Sequence, residues 1–282
     1  MELSGGVRIV DDSRVTGLGE RQAPVTDHFQ KDAPFWQDVY ARSDVFSVIH
    51  KERAARAMAE VERLPLTKGS RVLEIGCGAG LLAIQLAQRG FVVEATDSTP
   101  AMVELTLQNA ERAGLASRVH AGIADAHALE FDDSAFELVV AMGVLPWLPD
   151  PTLALNEMAR VIRPGGFLVA NIDNRARLTH LLDPLLNPAL QPLRRALGHG
   201  RTSGAAAKTV WRRQFDRDLS GAGLRKIRHL TLGFGPFTFF ARSTVRGEAA
   251  VRLHTRLQRL ADHGVPGVRS TGAQYLVVAQ KQ

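Results

Sequence analysis

The sequence predicts an α/β domain built on a doubly wound, largely parallel sheet. Between residues 70 and 172, short runs rich in β-branched residues alternate with helical stretches of about ten to fourteen residues, which is typical of parallel strands joined by crossover helices. Residues 138–142 (LVVAM) are apolar throughout, as expected of a strand that is covered on both faces. Glycines follow the helical stretches, where they commonly end helices.

The predicted elements follow one another in this order along the chain. Strands are expected at 71–75, 92–96, 119–123, 136–142 and 167–172, and helices at 79–89, 100–113 and 151–162. Gly90 and Gly114 end the first two helices, and an Arg-Pro-Gly-Gly turn at 163–166 ends the third. Two further strands, at 224–232 and 274–279, enclose a helix at 248–263.

Three segments lie outside this alternation. Residues 1–24 are polar and rich in glycine and aspartate, and we expect them to be poorly ordered. From residue 25 to about 64 apolar residues recur with helical spacing, which predicts two helices ahead of the sheet. Residues 174–215 are rich in leucine and proline and too long for a simple connection. An insertion after the fifth strand overhangs the carboxyl edge of the sheet, where such folds bind ligands, and is a candidate lid.

The composition is that of a globular protein, with 45% apolar and 23% charged residues among 282. No apolar run reaches the roughly 18–20 residues that span a bilayer, and the N-terminus lacks a signal-peptide pattern. The single cysteine, Cys77, excludes an internal disulfide and a thiolate cluster, and a reducing cytoplasm is the predicted location. The net charge of +6 leaves three interpretations open: a solvated surface, which we favour, an anionic acceptor or membrane surface, and nucleic acid.

A glycine-rich loop at 76–80 (GCGAG) joins the first predicted strand to the first predicted helix. Glycines at such a turn allow positive φ angles and let a ligand touch the backbone. The spacing is G-x-G-x-G, whereas the loops that bind the pyrophosphate of dinucleotides read G-x-G-x-x-G. Glu74 lies two residues before the first glycine, where it would repel a pyrophosphate and attract a cationic ligand. S-Adenosylmethionine, with its sulfonium and ammonium groups, suits this site better than a dinucleotide.

Asp97 ends the second predicted strand. A carboxylate in this place can accept hydrogen bonds from both hydroxyls of a ribose. The alternative is a cap for the helix that begins near Pro100, a role that Ser98 and Thr99 fit better. Met102 lies one helical turn further on, where its side chain could cover an adenine.

Asp125 follows the third predicted strand. Its carboxylate could accept the adenine amino hydrogen, while Ala126 could supply a backbone N–H to the ring; the alternative for Asp125 is a cap of a short turn. We expect His127 to be a surface or loop residue rather than a catalytic base.

These three sites, in this order, make the sequence similar to the class I S-adenosylmethionine-dependent methyltransferases, especially the small-molecule group with UbiE- and UbiG-like domains. The resemblance covers roughly residues 64–172 and rests on VLEIGCGAG, VEATD, GIADAHAL, FELVVAMGVLPWL and VIRPGGFLV. It implies a Rossmann-like sheet of seven strands, mostly parallel with the last antiparallel. It further implies a tail and helical lid at 1–64 and a methyltransferase domain at 65–282, with the lid insertion at about 174–215.

The resemblance also implies that S-adenosylmethionine is the cofactor and that S-adenosylhomocysteine is the product. It places the binding site at the ends of the strands. The residues implied are Glu74, Gly76, Cys77 and Gly78 at the methionine end, Asp97 at the ribose, Ser98, Met102, Asp125 and Ala126 at the adenine, and Met142 and Gly143 near the sulfonium. We interpret Cys77 as a small packing residue, because no second cysteine suggests covalent chemistry.

The acceptor side rests on fewer residues, each with a structural alternative. The candidates are Trp36, Tyr40, Trp147, Asn171, Asp173 and Asn174 for substrate binding, and His180 and, more weakly, His28 for a general base. The aromatic residues could equally pack in the interior, the polar residues after the fifth strand could equally form a turn or cap, and His180 could pack in the lid.

The predicted reaction is metal-independent methyl transfer to a small lipophilic natural product or quinone-like compound, with O-methylation favoured. The aromatic run at 233–240 (GFGPFTFF) and the leucine-rich insertion indicate an apolar pocket. The Asn/Asp-Pro-Pro-Tyr/Phe sequence of the adenine- and glutamine-modifying relatives is not found after the fourth strand. Metal-dependent relatives have acids after both the fourth and fifth strands, whereas here no acid follows the fourth strand before Asp150, so no metal ligand is assigned.

Other interpretations stay open. One is N- or C-methylation of a peptide or glycan natural product, and another is a non-catalytic cofactor-binding partner protein. RNA methylation rests on the basic charge alone, and no nucleic-acid partner is expected. The expected partner is therefore the small-molecule acceptor. No transmembrane segment is predicted; peripheral membrane contact, and a monomer or a homodimer, remain open.

Overall fold

The computed structural model of the protein describes residues 12–31, 43–190, 207–240 and 242–282. The helices are α1 (Asp12–Lys31), α2 (Val45–Val61), α3 (Leu81–Gln88), α4 (Pro100–Arg112), α5 (Pro151–Val161), α6 (Leu178–Leu182), α7 (Arg212–Gly221) and α8 (Gly247–Asp262). The strands are β1 (Arg71–Ile75), β2 (Val92–Asp97), β3 (Val119–Ile123), β4 (Phe136–Ala141), β5 (Ile162–Asn174), β6 (Thr209–Val210), β7 (Leu224–Leu232), β8 (Phe237–Phe239), β9 (Arg242–Val245) and β10 (Gln274–Lys281). Single 3-10 turns lie at Leu145–Trp147, Pro188–Leu190 and Val268–Ser270.

The main sheet has the strand order β3-β2-β1-β4-β5-β10-β7, and β6 pairs with β5 beside this path. Strands β1 to β5 pair in parallel, whereas β10 is antiparallel to both β5 and β7. The predicted doubly wound, Rossmann-like α/β fold is therefore confirmed, including the antiparallel last strand. Because the chain changes direction across the sheet between β1 and β4, a crevice opens at the carboxyl ends of these two strands.

Hydrophobic cores cover both faces of the sheet. Along β4, Leu138 and Val140 belong to a core that contains Leu86 of α3, and Val139 belongs to the opposite core, with Leu155 of α5. This two-sided burial explains why the strand is apolar at successive positions instead of at alternate ones.

Two helices, α1 and α2, lie ahead of the sheet in the described ranges, and α1 begins earlier than expected. Residues 35–40, on which the first predicted helix mainly rests, lie outside those ranges. Residues 12–24 are helical, contrary to the prediction that the first 24 residues are poorly ordered. The second half of α1 lies against the sheet edge, where the Thr26 hydroxyl donates to Ser98 Oγ over 3.3 Å. Such a tertiary contact cannot be recognised from the polar composition of the segment. In α2, the Asp44 carboxylate caps the first turn by accepting from the N–H groups of Phe46 and Ser47.

The insertion after β5 returns to the sheet and adds to it. Thr209 and Val210 of β6 pair with the last two residues of β5, and the ammonium of Lys208 donates to the carbonyls of Leu148 and Pro149, both over 2.8 Å. Strand β5 begins at Ile162, before the turn predicted at 163–166, and β8 and β9 form a separate hairpin that the sequence pattern does not indicate. Within the described ranges, no helix has both the length and the apolarity needed to cross a membrane.

Candidate active site

A cavity of about 320 Å³ opens at the carboxyl edge of the sheet, beneath α1 and α2. Its volume is that of a small-molecule site. The predicted residues that line it are Glu74, Gly76, Cys77, Gly78, Asp97, Ser98, Met102, Asp125, Ala126, Met142, Gly143, Trp147 and Asp173. One cavity therefore brings together residues from the ends of five strands of the sheet.

The other predicted site residues lie elsewhere. Trp36 and Tyr40 are outside the described residues. Asn171, Asn174, His28 and His180 are not part of the cavity wall, although the His28 ring lies against Trp147, with 5.6 Å between ring centroids. Asn174 is fully buried and ties two loops together, since its amide nitrogen donates to the carbonyls of Ser270 and Gly272.

The glycine loop is shaped for close backbone approach. Gly76 has a φ of +70°, and a Cβ atom there would lie 2.3 Å from Cγ2 of Val144, so only glycine fits without displacement. The N–H groups of Gly76 and Cys77 both donate to the carbonyl of Thr96, which fastens the loop to the end of β2. The Cys77 thiol is buried and accepts a hydrogen bond from the Thr106 hydroxyl, and burial raises its pKa well above the usual value.

Glu74 is the most unusual group in the cavity wall. Its side chain is 3% exposed, and Oε2 has no hydrogen-bond partner. Burial, and then the neighbouring charge of Asp97, raise the pKa of this carboxyl group well above its usual range. An acid held in this way lacks a counter-charge, and a cationic ligand in the cavity would supply one.

Asp97 organises the loop that it lies beside. Its carboxylate accepts from the N–H of Gly78 over 3.1 Å and from the N–H of Thr99 over 2.9 Å. Burial raises its pKa, and these hydrogen bonds oppose that rise. The carboxylate thus links the glycine loop to the start of α4 while lining the cavity. The capping alternative and the ligand-binding role are therefore compatible.

Asp125 is held by His127, which lies in the loop after β3, one of the two places expected, but is buried there, with 2% of its surface exposed. Oδ1 of Asp125 accepts from the N–H of His127 over 2.9 Å and lies 2.6 Å from its Nδ1, while Nε2 accepts from the N–H of Asp150 over 3.3 Å. Since a backbone N–H can only donate, the neutral ring carries its proton on Nδ1. The hydrogen bond from His127 lowers the pKa of Asp125, so this carboxylate is ionised at neutral pH.

The end of β4 is fixed from β5 and covered by α2. The Gly143 N–H donates to Oδ1 of the fully buried Asn171 over 2.7 Å. Gly143 has a φ of +82°, and a Cβ atom there would lie 2.6 Å from Nη1 of Arg53. The guanidinium of Arg53 therefore lies directly over Gly143, next to the glycine loop. Arg53 lines the cavity but does not belong to a recognisable sequence motif.

The far end of the cavity combines polar and apolar groups. Arg177 donates to Asp173 Oδ2 over 2.9 Å, and both side chains are mostly buried. Gln274 lies beside Asp173, its Cα partner in the sheet. The apolar part of the wall includes Phe29, Phe46, Ile49, Val144, Trp147 and Pro236.

The comparisons with known proteins concern the part of the chain that holds the glycine loop and the acids. Residues 73–170 match the family described as a methyltransferase domain. The chain is 36% identical over 119 residues to the methyltransferase GfsG of Streptomyces halstedii, covering 42% of this chain and 43% of that protein. It is 31% identical over 115 residues to a ubiquinone biosynthesis O-methyltransferase of Coxiella burnetii, covering 41% of this chain and 48% of that protein.

The chain carries a class I S-adenosylmethionine-dependent methyltransferase domain.

The matched segments span less than half the length of these two curated relatives. Among solved structures, the magnesium protoporphyrin IX methyltransferase of Synechocystis, crystallised with S-adenosylhomocysteine, superposes with a TM-score of 0.63 at 17% identity. The superposition covers 92% of this chain and 98% of that one, so the shared fold extends well beyond the segment of sequence similarity.

The charged groups of the cavity wall complement those of S-adenosylmethionine. The unpartnered Glu74 Oε2 lies in a cavity wall where an ammonium and a sulfonium would supply the missing positive charge. The carboxylate of the cofactor would need a cation, and the guanidinium of Arg53 lies over Gly143 in the wall of the same cavity. Asp97 and Asp125 offer acceptor oxygens in the same wall.

Several polar and charged residues of the cavity wall do not follow from the sequence pattern: Gln22, His50, Arg53, Arg177 and Gln274. The two residues on α2 are three apart, which places them on one helix face, but a histidine and an arginine at this spacing also fit a solvated face. No signal in the sequence indicates that this face covers the carboxyl edge of the sheet.

Proposed function

We propose that the protein transfers a methyl group from S-adenosylmethionine to the hydroxyl of a small, lipophilic acceptor. The main support is the buried Glu74 carboxyl group, whose Oε2 has no hydrogen-bond partner, in a cavity that also contains Asp97 and Asp125. The apolar wall formed by Phe46, Ile49 and their neighbours favours a lipophilic acceptor. The similarity to a ubiquinone biosynthesis O-methyltransferase supports transfer to oxygen.

In this proposal the domain binds its cofactor along the ends of β1, β2, β3 and β4. Glu74 faces the ammonium, Asp97 accepts from the ribose hydroxyls, and Asp125 accepts from the adenine amino group. Arg53 faces the carboxylate. S-Adenosylmethionine, when bound, supplies an activated methyl group, so the protein contributes mainly orientation and the exclusion of water.

His50 is the histidine best placed to take the hydroxyl proton, because it lines the cavity whereas His28 and His180 do not. Its Nδ1–H donates to the carbonyl of Phe46 over 2.9 Å, so in the neutral ring Nε2 is the acceptor nitrogen. Burial, and then the charge of Arg53, lower its pKa to about 4, which keeps the ring unprotonated at neutral pH. His28 and His180 remain weaker proposals for this role.

The first test is cofactor binding measured by calorimetry with S-adenosylhomocysteine. Asp97→Ala should weaken binding by about 10- to 100-fold, because it removes roughly 2 kcal/mol of charge-assisted hydrogen bonds. Asp132→Ala, on an exposed side chain outside the cavity wall, is the control and should bind like the wild type. An unchanged affinity of Asp97→Ala would remove the ribose assignment.

The second test follows the methyl group itself. S-Adenosylmethionine with a labelled methyl group is incubated with a panel of phenols, alcohols and amines, and the products are identified by mass spectrometry. The label is expected in an ether. Label found only in amines or on carbon would contradict O-methylation and favour N- or C-methylation. Tight cofactor binding with no label in any product would favour a non-catalytic binding protein.

A further inference from the structure

Gln274 is a buried side chain whose carbonyl oxygen has no hydrogen-bond partner. It is 8% exposed, it lines the cavity, and its Oε1 has no partner. Burying a carbonyl oxygen without a hydrogen bond costs free energy, so such groups in native proteins call for an explanation.

The position of Gln274 is set by the sheet. It is the first residue of β10, and it pairs with Asp173 on one side and with Leu232 on the other. It therefore lies at the carboxyl edge of the sheet, beside the Asp173–Arg177 ion pair. The acids assigned to the cofactor lie in or just after the ends of β1, β2 and β3, on the other side of β4 and β5. Gln274 thus belongs to the end of the cavity that the cofactor residues leave for the acceptor.

We propose that Gln274 is the acceptor-binding residue of this cavity and selects compounds that present a hydroxyl group, an inference that rests on the proposed methyl transfer. A carboxamide has an oxygen that accepts hydrogen bonds and an N–H₂ group that donates them. A hydroxyl group can bond with both, since it donates one hydrogen bond and accepts another. An ether can only accept, so it leaves Oε1 unpartnered. The site therefore binds the alcohol form of a compound in preference to its methyl ether, which also favours release of a methylated product.

The experiment uses matched pairs as probes, with the protein saturated by S-adenosylhomocysteine. The pairs are 2-naphthol with 2-methoxynaphthalene, and cyclohexylmethanol with its methyl ether, titrated by ligand-observed NMR. In the wild type each alcohol should bind about tenfold more tightly than its ether. In Gln274→Leu the two members of a pair should bind equally. Gln280→Leu changes the same residue type at the other end of β10, where Gln280 bonds to Gly165, and it should keep the preference.

A second measurement needs no acceptor. Gln274→Leu replaces an unpartnered polar group by an apolar one of similar size, so the unfolding midpoint of the ligand-free protein should rise. A lower midpoint would mean that the carboxamide has a structural role and would overturn the proposal. So would an alcohol preference that persists in Gln274→Leu, or a wild type that fails to prefer the alcohols, including one that binds none of them. Calorimetry with S-adenosylhomocysteine distinguishes failure of the Gln274 proposal from failure of the proposed methyl transfer. A wild-type protein that does not bind S-adenosylhomocysteine would refute the methyltransferase proposal itself.

Discussion

His50 shows how burial and a neighbouring charge set the protonation state of a single residue. Its ring is 8% exposed, packs against Phe46 with 4.0 Å between centroids, and belongs to the same helix as Arg53. Burial disfavours the imidazolium, and the guanidinium of Arg53 repels it, whereas the carboxylate of Asp44 and the carbonyl of Phe46 favour it. The first two effects are larger, so the folded protein holds a neutral histidine over most of the accessible pH range.

The pKa of His50 leads to a prediction about acid stability. Because the pKa is about 4 in the folded state and about 6.5 in the unfolded state, the unfolded chain takes up the proton first. The free energy of unfolding should therefore be fully retained above pH 6.5 and fall by about 3 kcal/mol between pH 6.5 and pH 4 from this residue alone. Urea unfolding of the wild type and of His50→Phe over this range measures the difference in slope.

The control for this experiment is His120→Gln, which replaces an exposed histidine on β3 and should keep the slope of the wild type. NMR titration of the His50 ring gives a direct measurement. Titration near pH 6.5 in the folded protein would contradict the assignment, as would equal slopes for the wild type and His50→Phe.

At the scale of elements, α8 holds the loop that follows β7. Gln258 accepts from the N–H of Gly233 over 3.0 Å and donates to the carbonyl of Thr231 over 3.2 Å. His254 accepts from the N–H of Phe234 and, through Nε2, pairs with Glu52 of α2 over 2.9 Å. One helix therefore fastens both the loop that ends at the cavity and the helix that carries His50 and Arg53.

Removing Gln258 should loosen this arrangement. Gln258→Leu keeps the volume of the side chain but leaves two buried backbone groups unpartnered, so the free energy of unfolding should fall by about 2–3 kcal/mol. Hydrogen exchange at the Gly233 amide should accelerate, because its acceptor is lost. The control is Gln108→Leu on α4, whose amide bonds only to exposed Glu104, with an expected change within about 0.5 kcal/mol. Unchanged exchange at Gly233 would show that the loop is held by other contacts.

The elements also show what a sequence can and cannot predict. Strands β1 to β5 are recognisable because each consists of apolar, β-branched residues between turn signals. Strands β6, β8 and β9 have two, three and four residues, too few for any periodicity. Strand β6 forms by pairing with the distant β5, and β8 and β9 pair with each other in a hairpin. The same reasoning applies to the site. Glu74 and Asp97 belong to local motifs, whereas Arg53 and Gln274 reach the cavity through the packing of distant elements.

Across the whole molecule, the two ends of the cavity come from different parts of the chain. The cofactor-side acids lie within the matched segment 73–170, and so does Gly143. His50, Arg177 and Gln274 lie outside it, on α2, after β5 and on β10. The shared segment thus explains the chemistry that the sequence makes recognisable. In the proposed function the acceptor contacts residues that belong to no recognisable motif, which is why the sequence identifies the cofactor more readily than the acceptor.

A last prediction concerns the stability of the whole domain in the presence of ligand. S-Adenosylhomocysteine at about 100 times its Kd should stabilise the protein by about 2.7 kcal/mol, because it binds only the folded state. For a chain of 282 residues this corresponds to a rise of about 5–10 °C in the unfolding midpoint. NAD⁺ at the same concentration should give no rise, since Glu74 and Asp97 oppose its pyrophosphate. EDTA should change neither the midpoint nor the shift, because in the proposed site the cofactor contacts carboxylates, backbone groups and Arg53 and no metal ion. A comparable shift with NAD⁺ would contradict the charge argument at Glu74, and a shift abolished by EDTA would contradict the metal-independent site.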